Sequence, residues 1–364
     1  MKQLAILGTV GVPGSYGGFE TLAENLVRYH DSHDLPFEMV VYCSAPAYPQ
    51  KPATFHRTRL RFLPLKANGV QSIPYDIWSL FSAAWHRADV ILLLGVSGAV
   101  CLPLIRLLSR AKIITNVDGI EWKRAKWRGL AQYFLRVSEW AAVRFSHTII
   151  ADNQGISDYI SGSYGVPCRI IAYGGEHALD GAPNEQTSEP TPQNYALALC
   201  RIEPENNVEP ILKAFSRRSE CNLLFVGNWQ DSPYGKKLYA SYAQFPNIQL
   251  VPPVYAPDLL FKIRAGAEFY VHGHSAGGTN PSLVEMMHFG VPVLAFDCAF
   301  NRYTTEDKCR YFQSSEHLHD LLCAGDDTSI VQSGAQMQEI AMRRYRWDIV
   351  GKAYFDLAQS SMEK

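Results

Sequence analysis

Two kinds of hydrophobic pattern take turns along this chain. Short continuous apolar runs, each stopped by glycine or polar residues, alternate with stretches whose apolar residues recur every three to four positions. Leu4–Gly8, Phe37–Cys43, Leu60–Leu65, Val90–Gly95, Lys112–Gly119, His147–Asn153 and Cys168–Gly175 are runs of the first kind. Phe19, Leu22, Leu26 and Tyr29 fall on one side of a predicted helix over 19–30, and helices are also predicted over Asp76–His86 and Trp122–Phe145. Strands that are apolar throughout are buried on both faces, so this order predicts a parallel sheet covered by helices on both sides.

Asp180–Asn194 interrupts the pattern with a polar, proline-containing stretch that reads as a linker. A second series follows: Tyr195–Arg201, Asn222–Asn228, Ile248–Val254, Phe269–Gly273 and Val291–Phe296, with a last helix at about Gln336–Leu357. The predicted organisation is an N-terminal domain over 1–178, a linker over 179–194, a second domain over 195–338 and a C-terminal helix over 339–364. A chain of 364 residues suits two cores better than one. The longest apolar run, Val90–Ile105, is shorter than the roughly 20 residues of a membrane span and contains Gly95, Gly98 and Pro103. It reads as a buried strand followed by a packed helix. The first apolar run reaches Gly8 too soon for a signal peptide, so a cytoplasmic location is expected.

Composition narrows the function classes. Hydrophobic residues make up 47% and charged residues 19%, which excludes a disordered chain. A formal net charge of -1 gives no overall attraction to nucleic acid, so any basic surface is local. The eight cysteines form no C-x-x-C pair and no zinc-type spacing, and read as buried thiols in a reducing compartment. No D-x-D motif stands at a predicted strand end to hold a cation, so neither a metal nor another cofactor is expected.

Three segments carry candidate chemistry. Gly8–Glu20 is a glycine-rich turn from the first strand into a helix, where backbone N–H groups can approach a phosphate. It lacks the G-x-G-x-x-G spacing, and the second strand lacks the terminal acidic residue that holds an adenosine ribose, which argues against a nicotinamide enzyme. A plain surface loop is the alternative. Asp118 and Glu121 follow a strand end, where a carboxylate can orient a hydroxyl or take its proton; the alternative is that Asp118 caps the next helix. Trp122, Lys123, Arg124, Lys126, Trp127 and Arg128 suit either an anionic membrane surface or a solvated helix face with tryptophans turned inward. The third segment, His272–Glu285, runs from a strand through a Gly-Gly-Thr-Asn-Pro turn into a helix beginning near Pro281–Ser282. N–H groups there would face a diphosphate, and Glu285 one turn later would meet ribose hydroxyls or merely balance the helix dipole. Arg201 is the candidate cation for a leaving diphosphate.

These residues resemble the retaining family 4 glycosyltransferases of GT-B fold. More narrowly, Tyr16–Thr21 (YGGFET), VDGIEWKRAKW, RIEPENN and HGHSAGGTNPSLVE are similar to a bacterial rhamnosyltransferase-like branch. The resemblance spans essentially the whole chain. It implies two facing Rossmann-like domains, the first for acceptor and the second for donor, with the last helix crossing back to the first. It implies that Gly17, Gly18 and Arg201 meet the donor phosphates and Glu285 the ribose, and that Asp118 stands near the reacting sugar where many relatives have a histidine; Asn206, His274, Gly278, Thr279 and Asn280 join these as candidate donor contacts, and Asp118 and Glu121 are the candidate catalytic residues. Two departures stand out. The first glutamate of the family's Glu-x7-Glu pair is Gly277 here, and the family's lysine after the arginine is Asn206. Both fit a donor such as dTDP-L-rhamnose, with a UDP-sugar as the alternative, and a lipid-linked glycan as acceptor at the cytoplasmic face of the inner membrane. A non-catalytic nucleotide-sugar-binding protein and a sugar-nucleotide epimerase of the same double-Rossmann shape are the rival readings.

Overall fold

The computed structural model describes residues 1–14, 17–117, 119–123, 129–182, 194–324 and 328–363. They form two compact units, one of residues 1–173 with 347–364 and one of 174–346.

The first unit holds an eight-stranded sheet: β1 (Gln3–Leu7), β2 (Glu38–Ser44), β3 (Thr54–Phe55), β4 (Thr58–Leu63), β5 (Val90–Leu94), β6 (Lys112–Val117), β7 (Thr148–Ala151) and β8 (Arg169–Ile170). Its order is β3-β4-β2-β1-β5-β6-β7-β8, parallel except for the β3–β4 hairpin. β1, β2 and β5 are buried almost throughout, as their unbroken apolar sequences require. The β3–β4 hairpin escaped the sequence pattern, because Thr54–Phe55 is too short to show a period.

The second unit holds β9 (Tyr195–Leu199), β10 (Asn222–Val226), β11 (Ile248–Val251), β12 (Phe269–His272), β13 (Val293–Phe296) and β14 (Arg310–Phe312), all parallel, in the order β11-β10-β9-β12-β13-β14. β11 ends before Pro252 and Pro253, which have no N–H for the ladder. The core packs Phe215, Phe225, Trp229, Val271 and Phe312 on and around this sheet.

Two helix expectations need correction. The C-terminal stretch is not one helix over Gln336–Leu357 but two, Thr328–Arg344 and Trp347–Glu363. The break has a cause. The Tyr345 carbonyl accepts from Gly175 N at 2.7 Å and faces His288 Nε2 at 2.9 Å, so it is committed outside any helical ladder. The last helix belongs to the first unit. Gly351 packs so tightly on Tyr29 that a Cβ would lie 2.6 Å from its ring, and Asn116 Nδ2 donates to Tyr354 OH at 2.7 Å. Likewise, the region expected to be helical from Trp122 is a short turn, Glu121–Lys123, and then a helix over Leu130–Phe145 entered through Gly129 at φ 60°.

Candidate functional site

In an open parallel sheet, ligands sit outside the carboxyl ends of strands where the strand order reverses. In the second unit that point lies between β9 and β12. The segments leaving these strand ends are Cys200–Asn207 and Gly273–Asn280, which contain Arg201 and the glycine-rich turn. They are bound to each other. Asn207 Nδ2 donates to the Gly273 carbonyl at 2.8 Å, and Ser275 donates to the Glu205 carbonyl from both N and Oγ at 2.9 Å. Asn206 bridges them, with Nδ2 donating to the Arg201 carbonyl at 2.7 Å and Oδ1 at 2.6 Å from His274 Nδ1. Glycine is obligatory at 273, since a Cβ would lie 2.1 Å from the Asn206 carbonyl oxygen. Asn206 therefore joins the Arg201 backbone to the His274 ring. Arg201 is exposed, whereas Asn206 is buried and spends its amide on holding the loops.

The helix Pro281–His288 begins where the sequence placed it, but its first-turn N–H groups are occupied. Pro281 has none, Ser282 N donates to Asn280 Oδ1 at 3.0 Å, and Leu283 N and Val284 N donate to the Asn280 carbonyl. The expectation that these amides face a diphosphate is corrected accordingly, because Asn280 caps the helix from within. The dipole of the helix remains. Gly278 and Thr279 sit buried in the preceding turn. Gly277 has φ 118°, a backbone region that side chains rarely enter, so the position lacking the family's acidic residue is one that favours glycine.

Glu285 is buried among partners that the sequence reading missed. Its Oε2 accepts from Arg264 Nη2, and its Oε1 lies 3.2 Å from His177 Nε2. Burial alone would raise its pKa, but the Arg264 guanidinium and the His177 ring outweigh burial and hold the carboxyl below the usual range. Arg264 was invisible in sequence because, in the helix Pro257–Ala265, it resembles any arginine of a last helical turn. Behind the same strand end, Tyr270 OH lies 3.3 Å from His272 Nδ1, and His272 Nε2 has no partner among the described residues. Burial, aided by His274, pushes the His272 pKa well below the histidine norm, so its ring is neutral at pH 7.

In the first unit the order reverses between β1 and β5. The glycine turn after β1 has φ 84° at Gly8 and 129° at Gly17, and a Cβ on Gly8 would lie 2.0 Å from the Leu94 carbonyl oxygen. Its amides are not simply open to a phosphate, as the sequence suggested. Val10 N donates to Glu20 Oε1 at 2.8 Å and Gly14 N to Glu24 Oε2 at 2.7 Å, so the following helix fixes the turn through two carboxylates. Gly17 and Gly18 stand at the start of that helix, Gly18–Ser32. On the β5 side, Gly98 packs against a buried Asp76, which accepts from Ser97 Oγ. Burial pushes the Asp76 carboxyl up to about 7 against the pull of that bond.

Glu121 is half-buried on the turn after β6. Asp118, Arg124, Lys126, Trp127 and Arg128 lie outside the described residues, as do Tyr16 of the YGGFET segment and 183–193 of the linker. Trp122 and Lys123 border a groove of about 490 Å³ with Tyr133, Arg136, Trp140, Tyr159 and Tyr164. Beneath it Glu139, at 0% exposure, accepts on one oxygen from Tyr159 OH at 2.7 Å, Tyr164 OH at 2.6 Å and Trp122 Nε1 at 3.3 Å. Lys123 Nζ is 5.0 Å from the Tyr159 ring centre, and the Arg136 guanidinium is 5.3 Å from that of Trp122. This groove joins fixed aromatic faces to two cations, an arrangement suited to an anionic ligand.

Residues 183–313 match the family Glycosyl transferases group 1, and residues 1–176 match a Domain of unknown function (DUF1972). No curated protein sequence matches the chain. Among solved structures, sucrose-phosphate synthase from Thermosynechococcus elongatus is 14% identical, with a TM-score of 0.81 and 99% of each chain covered. Anabaena HepE in complex with UDP is 16% identical, with a TM-score of 0.71, over 99% of this chain and 100% of that one. A putative UDP-N-acetylglucosamine 2-epimerase from Listeria monocytogenes is 14% identical, with a TM-score of 0.64, over 100% of this chain and 96% of that one. At these identities the likeness concerns the fold, which is GT-B.

Proposed function

We propose, from the match of residues 183–313 to the group 1 glycosyltransferases, that this chain transfers the sugar of a nucleoside-diphosphate sugar onto a lipid-linked glycan, releasing the nucleoside diphosphate. The observation that carries the reading is the reversal point of the second sheet, where Arg201 and the Gly273–Asn280 turn are tied together ahead of a buried, ionised Glu285. In this reading Arg201 and the dipole of helix Pro281–His288 stabilise the charge that builds on the leaving diphosphate. Gly278, Thr279 and Asn280 line the donor, and Glu285 accepts from the ribose hydroxyls. Arg264 and His177 keep that carboxylate charged and aimed. Gly17 and Gly18 approach the donor phosphates, while Asp118 and Glu121 serve the acceptor hydroxyl.

The donor we favour is dTDP-L-rhamnose. A deoxysugar makes fewer hydroxyl contacts, which suits a pocket with Gly277 in place of an acidic side chain. Transfer proceeds with retention and without a metal, the leaving phosphate itself assisting the acceptor oxygen. The chain works at the cytoplasmic face of the inner membrane in polysaccharide assembly. HepE in complex with UDP supports the alternative of a UDP-sugar donor, and the epimerase-like neighbour supports a second reading as a sugar-nucleotide epimerase.

A donor screen by thermal unfolding tests the donor assignment. A ligand at a hundred times its Kd stabilises the folded state by about 2.7 kcal/mol. dTDP-L-rhamnose should raise the melting temperature more than UDP-glucose or UDP-N-acetylglucosamine does. A larger shift with a UDP-sugar transfers the assignment to that donor, and no shift with any of them sinks the nucleotide-sugar reading.

A further inference from the structure

Three helices of the first unit expose the wrong kind of residue for a surface facing water. On Ser72–Trp85 the outward positions are Pro74, Trp78, Phe81 and Trp85, a full helical stripe without one polar side chain. A solvated helix face is polar. Leu102–Leu108, packed against it, exposes Leu104, Leu107 and Leu108. The packed helix expected from the sequence is thus packed on one side only. Leu130–Phe145, packed in turn on Leu102–Leu108, exposes Tyr133, Arg136, Trp140 and Arg144 along one stripe. These are large exposures: 85% for Trp85, 81% for Leu107 and 69% for Tyr133.

The charged side chains exposed on these three helices are all arginines. The acidic residues of the three helices, Asp76 and Glu139, are both buried. Arg106, Arg110 and Arg144 are exposed on or beside the helices, and the groove of Lys123 and Arg136 opens next to Trp140. Interfacial tryptophans, leucines that can enter acyl chains and arginines at headgroup level together match an anionic bilayer surface. These three helices expose arginines and no acidic side chain, so a second copy of the chain would bring like charges together on them. No helix among the described residues is long and apolar enough to cross a membrane, which leaves contact in the plane of the interface.

We infer that the face formed by Ser72–Trp85, Leu102–Leu108 and Leu130–Phe145 docks the chain on a bilayer of anionic phospholipid. The inference deepens the proposed action on a lipid-linked acceptor by naming the surface that reaches the membrane. Tryptophan and leucine side chains insert, and the arginines meet lipid phosphates.

The test is cosedimentation of the full chain with phosphatidylglycerol-containing vesicles and with pure phosphatidylcholine vesicles. The wild type should bind the first and not the second, and salt should weaken the binding. Combining Trp78→Ser, Trp85→Ser and Leu107→Ser should reduce binding at least about tenfold, because apolar insertion adds to the attraction between the arginines and anionic headgroups. Arg110→Gln with Arg144→Gln should reduce it while leaving the apolar stripe intact. The nucleotide-sugar thermal shift, read in the same samples, should be unchanged in both variants. A wild type that ignores anionic vesicles, or a triple variant that binds them equally well, overturns the inference. So does a wild-type dimer that the triple variant converts to monomers. Vesicle binding without any nucleotide-sugar shift supports the face and tells against the transferase reading alone.

Discussion

Replacing Glu285 by alanine should cost more than a ribose contact. Glu285 is 9% exposed and its carboxylate pairs with Arg264, itself 6% exposed, and with His177. Truncation leaves a buried guanidinium whose Nε already has no partner among the described residues. Breaking a buried pair from one side costs about 3–5 kcal/mol, whereas losing hydrogen bonds from one charged group to a ligand costs about 1–3 kcal/mol. At about 2–4 °C per kcal/mol for a unit of this size, the melting temperature should fall by roughly 6–20 °C. The double variant Glu285→Leu with Arg264→Met separates the two roles. An apolar replacement of a buried pair is often neutral or stabilising, so this variant should regain most of the lost stability while binding donor no better than Glu285→Ala. Calorimetric unfolding gives the first number, and donor titration below the transition gives the second. Melting of Glu285→Ala within about a degree of wild type would refute the buried-pair argument. Full donor affinity in the double variant would refute the ribose role.

Other expectations follow from the same geometry. Gly273→Ala drives a Cβ into the Asn206 carbonyl, and should destabilise the second unit by about 1–3 kcal/mol or more in denaturant unfolding. Gly277→Glu, which restores the family's acidic pattern, should cost about 1–3 kcal/mol of stability because φ is 118° there, and calorimetry should show this. Acidification below the ordinary histidine value should destabilise the fold. His30, His272 and His288 have depressed pKa values, so the unfolded chain takes up protons that the folded chain refuses. That contribution is complete above pH 6.5 and declines as pH falls towards the folded values. Asp76 acts with the opposite sign, its raised pKa removing stability as pH climbs from the unfolded carboxyl value through about 7. Asp76→Asn should flatten that second dependence in pH-dependent melting.

The strands and their parallel order were legible because buried strands announce themselves as unbroken apolar runs. The pocket segment His272–Glu285 was legible because a strand, a glycine turn and a proline-started helix follow one another within a few residues. What escaped was pairing across the sequence. Arg264 and Glu285 sit on different helices, and nothing near Arg264 signals that its helix turns it inward. Glu20 and Glu24 looked like ordinary first-helix acids, yet they hold the amides of the turn before them. The first-turn amides of Pro281–His288 looked available because a cap formed by Asn280 is visible only once its side chain is placed. The stripe of Trp78, Phe81 and Trp85 read as helix but gave no sign of which way it faced, since apolar residues at helical spacing normally face a core.

Acceptor-dependent turnover decides whether the chain transfers sugar to a lipid-linked saccharide. The preferred donor, labelled in its sugar, is incubated with the chain, with and without a lipid-diphosphate-linked saccharide. Nucleoside diphosphate release should depend on the acceptor, with label passing into the lipid fraction. Nucleotide release in the absence of acceptor, or tight donor binding without transfer to any lipid-linked saccharide, would contradict it.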